Sequence, residues 1–315
     1  LSSALPSRER RSPGLELQDG RWMVATKSGL YVFGAEASST DGEPTPEVFP
    51  WYDVARARWE AEGSLFALEW VDPARPDLLL FEYVVQVSLL FEHGLADVGQ
   101  GERIRVIHIG GAGLSIPRWI AWRRPGTAQI VCEPDAGLTE EVRRKLPLPP
   151  RSGIKVRDVD GRSGVAAMPP DYADLVVLDA FDGARVPGEL VAAEFLDELA
   201  RLGRGRRMVI CNVTDSSPFG WTRRFAAGLA ERWRHLLVGT EPAVWKGRRF
   251  GNLLLAASGT RVDVTGLRRD SAKQPCPYRW IEGRELRSWI GGAEPFTDAD
   301  MQDSPPPSGS KLWFS

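Results

Sequence analysis

The sequence has few of the residues that build metal and disulfide scaffolds. Its three cysteines, Cys132, Cys211 and Cys276, are odd in number, widely spaced and without a CxxC pair, which argues against a disulfide framework or a structural zinc site. They read as reduced, cytosolic thiols. The three histidines, His93, His108 and His235, are equally scattered and none is paired at ligand spacing, so no metal is expected. An excess of one charge is lacking too. With 40 Lys and Arg against 42 Asp and Glu, the chain has no global basic field, and an extended nucleic-acid surface is not expected. The longest apolar run, LLLFEYVVQVSLLF from Leu78 to Phe91, is too short to span a bilayer and is interrupted by Glu82 and Gln86. It predicts a buried helix, and no membrane association. The opening LSSALPSRERRSPG has arginines but no apolar core, which predicts a disordered lead-in over residues 1–14 rather than an export signal. No internal repeat is visible.

These absences leave an ordinary globular chain of 315 residues, 43% hydrophobic, suited to small-molecule chemistry in the cytoplasm. Residues 15–77 show short alternating or aromatic segments around a Ser, Thr, Gly and Pro loop at STDGEPTPE, and predict a small β-rich N-terminal domain. Residues 78–258 then alternate β-type apolar runs with amphipathic helices. The seven runs RIRVIHI, AQIVCE, IKVRDV, DLVVLDAF, RRMVICNV, HLLVGTE and NLLLAAS describe an α/β, doubly wound, mostly parallel sheet. Only PAVWKGRRFG separates the last two, which predicts a closing antiparallel hairpin. Residues 259–315 are charged and Pro-rich, with one helix in EGRELRSWIGG. They predict a tail packed on the core, since Trp280, Trp289 and Trp313 would be costly to leave exposed together.

The candidate site begins at HIGGAGLSIPRW. Glycines leaving the first strand of such a sheet let the backbone approach a ligand and aim the next helix's amides at it, which marks Gly110, Gly111 and Gly113. Glu133, in VCEPD, ends the second strand, where a carboxylate can accept both hydroxyls of a ribose. That pair suits NAD or a methionine-derived nucleoside such as S-adenosylmethionine equally well. After the third strand Asp158 and Asp160, in VRDVDGR, are both placed to reach an adenine amino group, with a solvated turn as the alternative. Asp179 and Asp182, in LDAFDG, leave the fourth strand beside the ligand and suit a cationic substrate, one of them as general base toward an attacking amine. A loop-capping role is the alternative for Asp182.

With these motifs in order, the chain resembles the spermidine synthase (polyamine aminopropyltransferase) family over residues 64–258. The tail segment GGAEPFTDADMQDSPPP resembles that of a divergent actinobacterial spermidine-synthase-like branch. The resemblance implies the class I S-adenosylmethionine-methyltransferase-like fold, with a seven-stranded sheet and a small N-terminal β-rich domain. It implies transfer of an aminopropyl group from decarboxylated S-adenosylmethionine to a small-molecule amine, releasing methylthioadenosine. Residue by residue, it makes Gly110 and Gly111 the nucleoside turn, Glu133 the ribose ligand, Asp160 the adenine ligand, Asp179 the general base and Asp182 the holder of the acceptor's far amine. Tyr83, in FEYVVQ, falls on the family's active-site tyrosine, and because the family's members are commonly dimers or tetramers a homodimer is expected.

The chain departs from the pattern at two places. The family's glycine motif runs into an aspartate that binds the donor's amine, where this chain has Gly113 or Leu114; the glutamine after the tyrosine is Val84, with Gln86 two positions late on another helix face. These departures keep alternatives in play: a methyltransferase using intact S-adenosylmethionine on a small or natural-product acceptor, or an inactive nucleoside-binding homologue. Trp119, Trp122, Trp221 and Trp245 are candidate pocket walls or core, and Asp215 is a candidate second acid or helix cap.

Overall fold

The structure is a computed structural model that describes residues 14–16, 22–25, 29–34, 47–50, 54–60, 65–70, 75–79, 81–99 and 101–306. The expected lead-in over 1–14 lies outside the described residues except for Gly14, and Trp313 lies outside them as well. Contacts divide the chain into two units that part between Ala74 and Arg75.

The first unit is all β. Strands β1 (Gly14–Glu16), β2 (Trp22–Ala25), β3 (Gly29–Phe33) and β4 (Glu47–Pro50) form an antiparallel sheet in sequence order, and β5 (Val54–Glu60) pairs antiparallel with β6 (Leu65–Trp70). Alternation explains the first sheet: Val24 and Tyr31 are directly opposite on β2 and β3, and with Phe33 they form a small buried cluster.

The second unit opens with helix α1 (Glu82–Gly94), which buries Val84, Val87, Leu90 and Phe91 at helical spacing. The expected helix began at Leu78; instead Leu78 is exposed and its amide donates to the carbonyl of Arg75 across Pro76, so a turn takes up the start of the apolar run. All seven expected strands follow: β7 (Arg105–Ile109), β8 (Ala128–Cys132), β9 (Ile154–Arg157), β10 (Ala173–Leu178), β11 (Gly203–Asp215), β12 (His235–Thr240) and β13 (Gly251–Ser258). Six are parallel, and β13 inserts antiparallel between β11 and β12. The hairpin therefore closes inside the sheet rather than beyond it. An eighth strand, β14 (Arg279–Glu282), pairs antiparallel with β12 at the sheet edge, giving the order β14-β12-β13-β11-β10-β7-β8-β9. Four residues with a charge at each end, RWIE, carry too little periodicity to be read as a strand within the tail.

β10 explains why the sheet is central. Its six residues ADLVVL are all buried, as a parallel strand covered on both faces requires. One face carries helices α4 (Gly161–Ala166), α5 (Ala193–Leu202) and α6 (Gly220–Arg232); the other carries α1, α2 (Ser115–Arg123) and α8 (Val264–Ser271). Helices α3 (Ala136–Lys145), α7 (Pro242–Trp245) and α9 (Gly283–Ile290) complete the described set. The tail is stitched to this body: Trp280 and Phe296 are buried, Val186 exchanges hydrogen bonds with Ser304, and Trp221 donates its indole N–H to the carbonyl of Gln302. No helix among the described residues is long and apolar enough to cross a membrane.

Candidate functional site

The carboxyl ends of β7, β8 and β10 meet at one point because the order reverses there, with β7 between β10 and β8. At that point β7 gives way to Gly110, whose φ of +88° lies in the left-handed region and whose amide donates to the carbonyl of Cys132 at 2.9 Å. A Cβ at Gly110 would run into the backbone carbonyl of Asp179, and one at Gly111 would lie 2.8 Å from Val131 Cγ1. Glycine is required here by close approach, and the same approach sets the turn against the start of the LDAFDG segment. Ala112 and Leu114 also have positive φ, 40° and 62°, Gly113 is buried between them, and Leu114 begins α2 with no side chain capping the helix's first amides.

Glu133, one residue past β8, folds over this turn. One carboxylate oxygen accepts from the Gly111 amide at 2.9 Å and from the Ala112 amide at 3.4 Å; the other accepts from the Asp135 amide at 3.1 Å. Its position is thus fixed by backbone donors, while its oxygens retain lone pairs for a ligand's hydroxyls. Asp160 is the N-cap of α4 and accepts from the Ser163 amide at 2.8 Å; that backbone hydrogen bond holds its carboxyl below the usual range. The adjoining Gly161 packs against Ile109, where a Cβ would come 2.5 Å from Cγ2, so α4 begins alongside the glycine turn. Asp158 is exposed.

Asp179 is the most enclosed acid of the group. Tyr83 Oη donates to one of its oxygens at 3.0 Å, and Asn212 Nδ2 to the other at 2.9 Å. Burial pushes its pKa up, while these two hydrogen bonds, Asn212's the larger, pull it back. Burial also drives the Tyr83 hydroxyl well above its ordinary value, with the Asp179 charge adding to the shift, so the tyrosine remains a donor. The side chain of Asn212 is 3% exposed, and its Oδ1 has no hydrogen-bond partner among the described residues. An unsatisfied amide oxygen beside a carboxylate is costly, about 1–3 kcal/mol, unless a ligand N–H or O–H reaches it.

Tyr83, Asp179, Gly110, Gly111 and Glu133 are therefore brought together. Asp182 is not: it lies on an exposed turn, its backbone bridged to Arg185 by hydrogen bonds of 2.8 and 3.1 Å. Asp215 is buried and accepts from the Ser216 amide and from the amide and hydroxyl of Thr222, which fixes the entry to α6 rather than adding charge to the site. Trp119 and Trp221 are core, Trp122 is 51% exposed, and Trp245 packs on Phe219 and Trp289. Gln86 is fully buried and bonds Cys276 and Ser271 instead of turning toward Asp179. Asn212 was missed from the sequence; the available signal was a lone amide near the carboxyl end of the apolar run MVICNV.

No family model matches the chain. A polyamine aminopropyltransferase of Vibrio vulnificus (strain CMCP6) is 28% identical over 151 residues, 47% of this chain and 48% of that protein, so the match spans about half the length of the curated relative. Among solved structures, a probable spermidine synthase from Corynebacterium glutamicum superposes with a TM-score of 0.69 at 21% identity, covering 91% of this chain and 96% of that one. The fold is like that of this probable spermidine synthase, with a large central sheet and a small antiparallel N-terminal sheet.

Proposed function

We propose that the chain is an aminopropyltransferase-like enzyme that moves an aminopropyl group from decarboxylated S-adenosylmethionine to a small amine. The observation that carries this reading is the enclosed carboxylate of Asp179, held by Tyr83 and Asn212 and packed against the glycine turn. In this reading Glu133 accepts the ribose hydroxyls, Asp160 binds the adenine amino group, and the bare turn at Gly110, Gly111 and Gly113 admits the nucleoside. The acceptor's amine nitrogen attacks the carbon next to the sulfonium, the C–S bond breaks with its electron pair going to sulfur, and methylthioadenosine leaves as a neutral thioether. Asp179 takes the proton from the amine. Its raised pKa makes it the better base, and general bases of this kind contribute about 10²–10⁴ in rate. Asn212 Oδ1 is a free acceptor for a second N–H of the same nitrogen. Burial first, and then the charges of Glu241 and Glu82, raise the pKa of Tyr278, which interacts in turn with Tyr83; this negative ground beyond the tyrosine suits a cationic acceptor better than the exposed Asp182 does.

One observation favours a second reading. The turn from Gly110 to Leu114 holds no acid, and the first amides of α2 have no side-chain cap, which suits a donor that keeps its carboxylate. Intact S-adenosylmethionine would then be the donor and S-adenosylhomocysteine the product.

Calorimetric titration with decarboxylated S-adenosylmethionine, S-adenosylmethionine, methylthioadenosine and S-adenosylhomocysteine separates the readings. Tighter binding of the decarboxylated donor and methylthioadenosine supports aminopropyl transfer, and tighter binding of the carboxylated pair supports the second reading. Binding of none of the four would refute both.

A further inference from the structure

We propose that the chain has a second binding site, for an organic phosphate, in a cleft at the edge of the sheet opposite the glycine turn. β12 runs parallel to β7, because each neighbour of β13 is antiparallel to it; the start of β12 is therefore at the far edge from the end of β7. There a cavity of about 780 Å³ opens between α6, α8 and α9, a volume within the usual range for small-molecule sites.

Its chemistry is that of an anion site with an apolar floor. Arg234, Arg261 and Arg287 line it from three separate segments, and none of their guanidinium groups has an ion-pair or hydrogen-bond partner among the described residues. The acids in the lining are already engaged: Asp263 accepts from the Gly266 amide at 2.9 Å and faces His93, and Glu282 pairs with Arg268 at 3.3 Å. Cationic character is therefore left over, and guanidinium forks match phosphate oxygens two at a time. The first turn of α9 enters the cleft at Gly283 with no side chain capping it, so its amides add donors of the same sign. Val262 and Leu286, both buried, supply apolar surface for the body of the ligand. Trp233 in the wall is 4% exposed, and its Nε1–H is a donor the described chain leaves unsatisfied.

Neither Asp179 nor the glycine turn takes part, so the two sites fail independently. The test uses uridine diphosphate, pyrophosphate and uridine as probes, because none carries the adenine expected at the glycine turn. Titration calorimetry at low salt on the full chain is paired with hydrogen exchange. The expected result is binding of uridine diphosphate more tightly than pyrophosphate, little binding of uridine, and protection confined to residues 261–265 and 283–287. Exchanging Arg261→Gln and Arg287→Gln together should weaken binding at least about tenfold, the loss expected from charged hydrogen bonds, whereas Lys at both positions keeps the charge without the two-point contact and should lose less than the Gln double, and Glu133→Gln should leave the affinity for uridine diphosphate unaltered. The arginines are exposed, so both doubles should melt with the parent. Absence of binding at millimolar uridine diphosphate, equal affinity in the Gln double, protection at residues 110–115 alone, or a solution dimer that already shields 283–287 would overturn the proposal.

Discussion

Tyr83 and Asp179 are 96 residues apart in the chain and 3.0 Å apart in space, donor to acceptor, tying the first turn of α1 to the end of β10. The bond joins a helix placed by its apolar face to a strand placed by its burial on both sides, so neither partner needs a local motif to find the other. It also makes the carboxylate's properties depend on a residue from a different layer of the fold.

Asp179→Asn should cost about 10²–10⁴ in the rate of amine transfer, while the fold holds or gains stability. The sign follows from burial: the folded-state pKa is raised, so ionising Asp179 opposes folding, and its stabilising effect is present below the unfolded pKa and lost as pH rises through the folded value. The amide has no such loss. Thermal melts of both proteins from pH 4 to 8 should therefore diverge in favour of Asn as pH rises; a gap that closes with pH would contradict the burial argument.

Tyr83→Phe should move the acid limb of the pH–rate profile to higher pH. The tyrosine's hydrogen bond lowers the Asp179 pKa, so removing it leaves burial less opposed. Asn212→Leu should move the limb further in the same direction, because the Asn212 hydrogen bond is the larger of the two. The readout is kcat/KM against pH. A merely structural role would lower activity at every pH without displacing the limb.

The strands could be read directly from the sequence because parallel strands covered on both faces are continuous apolar runs, as LVVL and MVIC illustrate. Glu133 was legible for a related reason: the residue after a run in this architecture sits at the ligand edge. Asp182 was legible as an acid with a loop role as the alternative, but nothing in the sequence chose between them, because its bridge to Arg185 is made of backbone atoms. Asn212 gave only a weak pattern, since one amide inside a buried strand is as often structural as functional. The cleft of Arg234, Arg261 and Arg287 had no linear signal; it exists only because β12, β13 and α9 converge at one edge.

Glu133→Gln should weaken methylthioadenosine binding by about one to two powers of ten, in line with the roughly 1.5–3 kcal/mol of hydrogen bonds to a charged group. The amide keeps one acceptor oxygen for the Gly111 N–H, so the turn should persist and the melting temperature should change little. Calorimetry and a melt on the same sample check both halves. Undiminished affinity would place the nucleoside elsewhere.

His108 gives the last prediction, and it concerns stability alone. The side chain is 2% exposed on β7, its Nε2 is 2.9 Å from Gln129 Oε1, and burial lowers its pKa from 6.5 to about 4. The hydrogen bond that His108 Nε2–H donates to Gln129 Oε1 opposes this shift but is the smaller effect. Between these two values the unfolded chain binds a proton that the folded chain excludes, so stability is full above pH 6.5 and is lost as pH falls toward 4. A shift of this size corresponds to about 3 kcal/mol at most, from 1.36 kcal/mol per unit. His108→Gln removes the titrating group and should flatten that stretch of the stability curve, at the cost of imperfect packing around Gln129. Urea unfolding at pH 7, 6, 5 and 4.5 measures the difference. If the parent and the variant lose stability in parallel over that window, the acid sensitivity belongs to other groups and His108 is not excluding a proton.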